Sequence, residues 1–160
     1  MTSFTLSKSN ITFLNRKTFR IFVSALLLFW ILGFAILPLF HNSSMIVIFP
    51  FLKKFYSEFC HQIDYKTINI FGYKLLVCAR CTGIYLGGFA ASFYFIFKKR
   101  SIDLNKKIFY ALTLIMLADV FFTTFGIYNY SKVIAFSTGL FFGCLVFVYI
   151  LTLLDNFLYD

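Results

Sequence analysis

Charge is what this chain has least of. Only 13% of its 160 residues are charged, and six acidic residues stand against fifteen basic ones. Soluble domains carry about a quarter charged residues. So few polar groups cannot cover a water-facing surface, and a soluble globular class is excluded. Catalytic signatures are also missing. The sequence holds no glycine-rich phosphate loop, no Ser/His/Asp order and no paired carboxylates at acid–base spacing. It contains no internal repeat, no low-complexity tract and no shift in composition that would open a second domain, so residues 1–160 read as one integral membrane unit. The net charge of +9 is not gathered in a basic domain of its own. Lysine and arginine sit at the ends of apolar runs, where they meet lipid headgroups, and this excludes nucleic acid as a partner.

Apolar residues fill the space that charge leaves. They make up 61% of the chain, aromatic residues 22%, and 25 residues are phenylalanine. No soluble core of this size buries that many rings, so the solvent is lipid for much of the chain. Crossing a bilayer takes about 17–25 apolar residues. Four runs qualify, at about 21–40, 77–97, 108–127 and 133–154, and the second becomes strongly apolar only after Cys81. The first has a basic lead-in (Lys8, Arg16, Lys17, Arg20) like a secretory signal. Its apolar run is too long for one, and PLFHNSSM offers no small-x-small cleavage site, so it reads as an uncleaved anchor.

Four spans divide the basic residues between two sides. Nine (Lys8, Arg16, Lys17, Arg20, Lys98, Lys99, Arg100, Lys106, Lys107) fall with the termini and the 98–107 loop, and six (Lys53, Lys54, Lys66, Lys74, Arg80, Lys132) fall opposite. The positive-inside rule then places both termini in the cytoplasm of a multi-pass cell-membrane protein, with the loop 41–76 outside. In that loop, Pro50 suits a first helical position, and Ile48, Leu52, Phe55 and Phe59 recur at helical spacing. This predicts a short amphipathic helix, either at the membrane surface or packed on the bundle. KTINIFGYKLLV then alternates β-branched and aromatic residues around Phe71-Gly72, which predicts a small hairpin. The fold expected is all-α in the membrane: four transmembrane helices, a short interfacial helix and a hairpin between spans one and two.

The hairpin matters because it returns the chain toward its own start. Cys60, His61, Cys78 and Cys81 all fall within a 22-residue window around it. A Cys-x-x-Cys at a helix start points both sulfurs into one space, and the helix N-terminus favours thiolates. Three readings follow. Cys60, His61, Cys78 and Cys81 form a metal site of the Cys3His type that zinc favours, with one position open if the adjacent Cys60 and His61 do not both ligate. Alternatively Cys78 and Cys81 cycle between dithiol and disulfide as a membrane thiol–disulfide oxidoreductase, with Cys60 as relay. In the third reading the chain is a non-catalytic membrane subunit whose loop is stapled by a static disulfide. Cys144, deep in the fourth run, is badly placed to complete a second redox pair.

Supporting polar residues are few. Gln62 is placed to orient His61, and Arg80 to bind an anion, depress a thiol pKa or snorkel to the interface. Asp119 lies near the middle of the third run, where an ionisable residue marks a pathway, a pairing with Arg80, or a neutral acid bonded to Thr123. Gly83-x-x-x-Gly87 and Gly139-x-x-x-Gly143 have the spacing that lets helix backbones approach closely in lipid, within the bundle or in a homo-oligomer or with another membrane protein. His41 reads as interfacial.

Taken together, Cys60-His61-Gln62, Ile70 to Tyr73, VCARCTGIYLG (Val77 to Gly87), Asp119, Gly126, and Thr138-Gly139 with Gly143 resemble a family of small prokaryotic membrane proteins known as a domain of unknown function. Thr123 stands where that pattern has glutamine, and Ala135 where it has arginine. The resemblance implies a multi-span membrane protein and assigns no activity.

Overall fold

The computed structural model describes residues 2–36, 49–70, 72–97, 106–127 and 129–159. Five helices and one hairpin follow in the order α1 (Thr2–Phe34), α2 (Phe49–Ser57), a 3-10 turn (Asp64–Lys66), β1 (Thr67–Ile70), β2 (Tyr73–Cys78), α3 (Ala79–Phe97), α4 (Lys106–Thr124) and α5 (Lys132–Tyr159). By length and composition three of the described helices can cross a membrane: Lys17–Phe34 in α1, Lys107–Thr124 in α4 and Lys132–Leu154 in α5. The described residues are therefore mostly helical and hold three apolar spans, one fewer than the sequence predicts for the whole chain. α3 falls short because Arg80, Cys81, Thr82 and Gly83 fill its first turn after Ala79 and further small residues follow. The expected end of the first span (37–40), His41, the start of the 41–76 loop through Ile48, and residues 98–105 lie outside the described residues.

Glycine decides how the helices meet. The two small-residue stripes of α3 and α5 lie against each other: a Cβ on Gly83 would strike the Phe136 carbonyl, one on Gly87 the Leu140 carbonyl, one on Gly139 the Arg80 carbonyl and one on Gly143 the Ile84 carbonyl. Backbone touches backbone along the whole seam, which is what small residues permit where no hydrophobic drive separates protein from solvent. The contacts advance in step, Gly83 with Phe136, Gly87 with Leu140 and Gly88 with Phe147, so α3 and α5 run parallel. α1 runs antiparallel to α3, since Arg20 meets Phe95 and Phe34 meets Tyr85. α4 runs antiparallel to α5, since Phe109 stacks on Tyr149 at 5.1 Å and Asp119 meets Thr138.

The segment between α1 and α3 caps one end of this bundle. Trp30 of α1 is the anchor: its ring meets Phe55 at 5.7 Å, Tyr56 at 5.1 Å, Phe59 at 5.2 Å and Tyr85 at 5.9 Å. Aromatic pairs at these tilted and edge-on geometries add to the stabilisation from buried area. The residue that α2 buries is Tyr56, whose hydroxyl donates to the Trp30 carbonyl at 3.0 Å. Gly33 leaves room for that hydroxyl, since a Cβ there would collide with it. Phe55 and Phe59, expected on the helix's apolar face, are exposed at its flank. The hairpin pairs Thr67 with Cys78, Asn69 with Lys74 and Ile70 with Tyr73, with an irregular register between Thr67 and Asn69. Gly72 closes it at φ +84°, a left-handed value that suits glycine. Leu75, Leu76 and Val77 of β2 complete a core with Phe34, Tyr56 and Cys60.

Candidate metal centre

Two segments, separate in sequence, bring three cysteines to one point. Cys60 follows the last turn of α2, its N–H donating to the Tyr56 carbonyl at 3.0 Å. Two residues on, Gln62 takes φ +47°, a left-handed conformation that is uncommon for a residue other than glycine. Its side-chain amide donates back to the Lys53 carbonyl at 2.9 Å and holds that reversal. Cys78 ends β2 and Cys81 lies in the first turn of α3. The pairing of Thr67 with Cys78 carries the chain back to Cys60, and the Thr82 hydroxyl fixes the strand–helix junction by donating to the Cys78 carbonyl at 3.0 Å.

The sulfurs of Cys60, Cys78 and Cys81 lie within 4.8 Å of one another and can hold a metal ion. All four cysteines are unbridged. The Cys78 N–H donates to Cys60 Sγ at 3.2 Å. Hydrogen bonds from the side chains of Cys78 and Cys81, together with that N–H, hold the Cys60 thiol well below its ordinary range. The shift favours the thiolate, which is the form that ligates metals and attacks disulfides. Cys144 is elsewhere, its thiol donating to the Gly87 carbonyl at 3.1 Å.

A cavity of about 500 Å³ opens beside the sulfurs, lined by all three cysteines with His61, Gln62, Lys66 and Arg80, and by the apolar Phe59, Ile63 and Val120. His61 is exposed and shares this wall, but it is not among the groups that converge within 4.8 Å. Arg80, between the two α3 cysteines, pairs through Nη2 with Asp119 Oδ2 of α4, the side chains being 16% and 6% exposed. The Thr138 hydroxyl of α5 lies 3.4 Å from the same oxygen. Thr123 donates to the Asp119 backbone carbonyl at 2.7 Å. The site is thus tied to three helices at once.

Three further residues belong to this region without a sequence signal that isolates them. Lys66 Nζ lies over the rings of Tyr65 and Tyr130, at 5.4 and 5.3 Å from their centroids. Tyr130, between α4 and α5, has its hydroxyl buried and its pKa pushed up to about 12, mainly by that burial. Lysines and tyrosines at interfaces are ordinary in sequence, and only the meeting of a turn with a distant loop makes these notable.

An uncharacterized protein of Methanocaldococcus jannaschii is 34% identical over 107 residues, covering 65% of this chain and 69% of that one. An uncharacterized protein of Methanothermobacter thermautotrophicus is 33% identical over 82 residues, covering 51% of this chain and 74% of its own. No solved structure matches the chain. The model of one family matches residues 60–149, from the first clustered cysteine into the second half of α5, and the chain belongs to that family, described as "Predicted membrane protein (DUF2085)".

Proposed function

We propose that this is a four-span membrane protein of the cell membrane, with cytoplasmic termini, that binds a transition metal of the zinc class through Cys60, Cys78 and Cys81 at the membrane interface. The observation that carries the reading is the convergence of three sulfurs from two chain segments within 4.8 Å. A disulfide needs two sulfurs, whereas a tetrahedral thiolate site uses three or four. Zinc takes four ligands, so the fourth is His61 from the same cavity wall or an exogenous group in an open position.

The fourth span is α3. It lies parallel to α5 with backbones in contact, and its 19 residues extend about 28 Å at 1.5 Å per residue, close to the hydrocarbon thickness. The directions of α1, α3, α4 and α5 alternate, as successive crossings require. On this reading α2 and the hairpin form an interfacial cap, with exposed Phe51 and Phe55 toward the headgroups.

One specific observation favours a second reading, thiol–disulfide exchange. The Cys60 sulfur lies within 4.8 Å of both sulfurs of a Cys-x-x-Cys, so as a thiolate it can attack a Cys78–Cys81 disulfide formed by an exchange partner, bonding to one sulfur and releasing the other as thiolate. A single preparation separates the two. The protein is purified in mild detergent without chelator, bound metal is measured by mass spectrometry, and free thiols are titrated before and after reduction. About one zinc per chain, lost in Cys78→Ser, supports the metal centre. A metal-free protein with a readily reduced Cys78–Cys81 bond overturns it in favour of exchange.

A further inference from the structure

The cavity beside the sulfurs has a polar wall of donors and no carboxylate in its lining. Lys66, among the described residues, pairs with no acidic side chain; its ammonium is held over the Tyr65 and Tyr130 rings. A lysine fixed between rings has given up part of its hydration, which strengthens any later contact with an anion. Arg80 spends one terminal nitrogen on Asp119, while its Nε is buried with no hydrogen-bond partner. Guanidinium offers five donors and no acceptor, so an oxygen-rich group is its natural complement. The hydroxyl of Tyr130, whose ring lies under the Lys66 ammonium, is likewise buried with no hydrogen-bond partner. Buried donors are normally satisfied, and each unsatisfied one calls for an explanation.

From this we infer that the cavity binds an anionic oxygen-bearing group, a phosphate or a carboxylate, on Lys66 and Arg80 next to the three sulfurs. The volume of about 500 Å³ suits a small ligand. The opposite wall is apolar, and Phe59 and Ile63 are exposed there, so the group arrives either as a free anion or as the headgroup of a lipid whose chains continue past those side chains. The inference rests on Lys66 and Arg80 rather than on the metal reading, and because charge on the neighbouring sulfurs acts on any anion beside them, metal-free and zinc-loaded protein are compared.

The test uses the full chain in nanodiscs of phosphatidylcholine alone, both chelator-treated and zinc-loaded. Calorimetric titration with inorganic phosphate and with acetate is run beside competition by nanodiscs that also contain phosphatidylglycerol. Saturable binding near one per chain is expected. Lys66→Gln weakens it about tenfold, the loss of one charge-assisted contact, and Lys66→Arg retains it. Phosphate or acetate binding assigns a free anion, and binding of phosphatidylglycerol alone assigns a lipid headgroup. No saturable binding by any probe, or equal binding by Lys66→Gln and the parent protein, overturns the inference. Zinc stoichiometry read on the same samples shows separately whether the metal reading holds.

Discussion

An arginine stands at each end of α3, and the two sit in different surroundings. At the C-terminal end, Arg20 of α1 is 3% exposed, donates from Nη1 to the Phe95 carbonyl at 2.8 Å and lies 5.5 Å over the Phe95 ring. A cation there complements the negative end of the helix dipole. At the N-terminal end, Arg80 meets a carboxylate from α4, a hydroxyl from α5 lies close by, and three thiols and an open cavity stand alongside. The helix dipole is unfavourable to a cation at that end. Asp119 answers that cost, and the same field favours the thiolates. The difference teaches which end is built for stability and which for chemistry.

Breaking the chemical end has the largest expected effect. Cys81→Ser removes one of three converging sulfurs, and metal per chain measured by mass spectrometry is expected to fall to background while the protein stays folded. Asp119→Asn comes next. It leaves the part-buried Arg80 without its carboxylate, which costs about 1–3 kcal/mol, less than breaking a fully buried pair. Thermal unfolding in detergent reports the loss, and recovery in Arg80→Met/Asp119→Leu would show that the single variant suffered from an unpaired charge.

The seam between the two ends offers a smaller handle. Gly139→Ala pushes a methyl into the Arg80 carbonyl and is expected to destabilise by about 1–3 kcal/mol as an overpacked contact, with metal affinity falling too because Arg80 and Cys81 shift with the backbone. Arg20→Gln is expected to be the mildest. Loss of a charged hydrogen bond to a carbonyl lowers stability by about 1–2 kcal/mol and leaves metal content unchanged. Should Arg20→Gln abolish metal binding while leaving unfolding intact, the division between a structural and a chemical end would be wrong.

Much of this was legible in the residues. Cys-x-x-Cys before an apolar run announces a helix start, and Phe71-Gly72 between β-branched stretches announces the reversal that brings Cys60 back. The pairing of Asp119 with Arg80 was one of three roles the acid could take. Burial of Tyr56 in place of Phe55 was hidden, because an amphipathic pattern gives a face but not which ring on it will find Trp30. Lys66 and Tyr130 were hidden for a different reason, since each becomes special only when a turn and a remote loop meet.

The sequence by itself determined the solvent, the helical class and the local placement of the cysteines, because all three follow from composition and from spacing along a chain. Tertiary structure alone decided that Cys60 joins the pair while His61 stands apart on the cavity wall, that the two glycine stripes face each other, and that Arg80 meets Asp119 from a helix remote in sequence. These outcomes depend on which backbones can approach within van der Waals contact and on which buried charge finds an opposite one. Neither is encoded in the periodicity of a single segment.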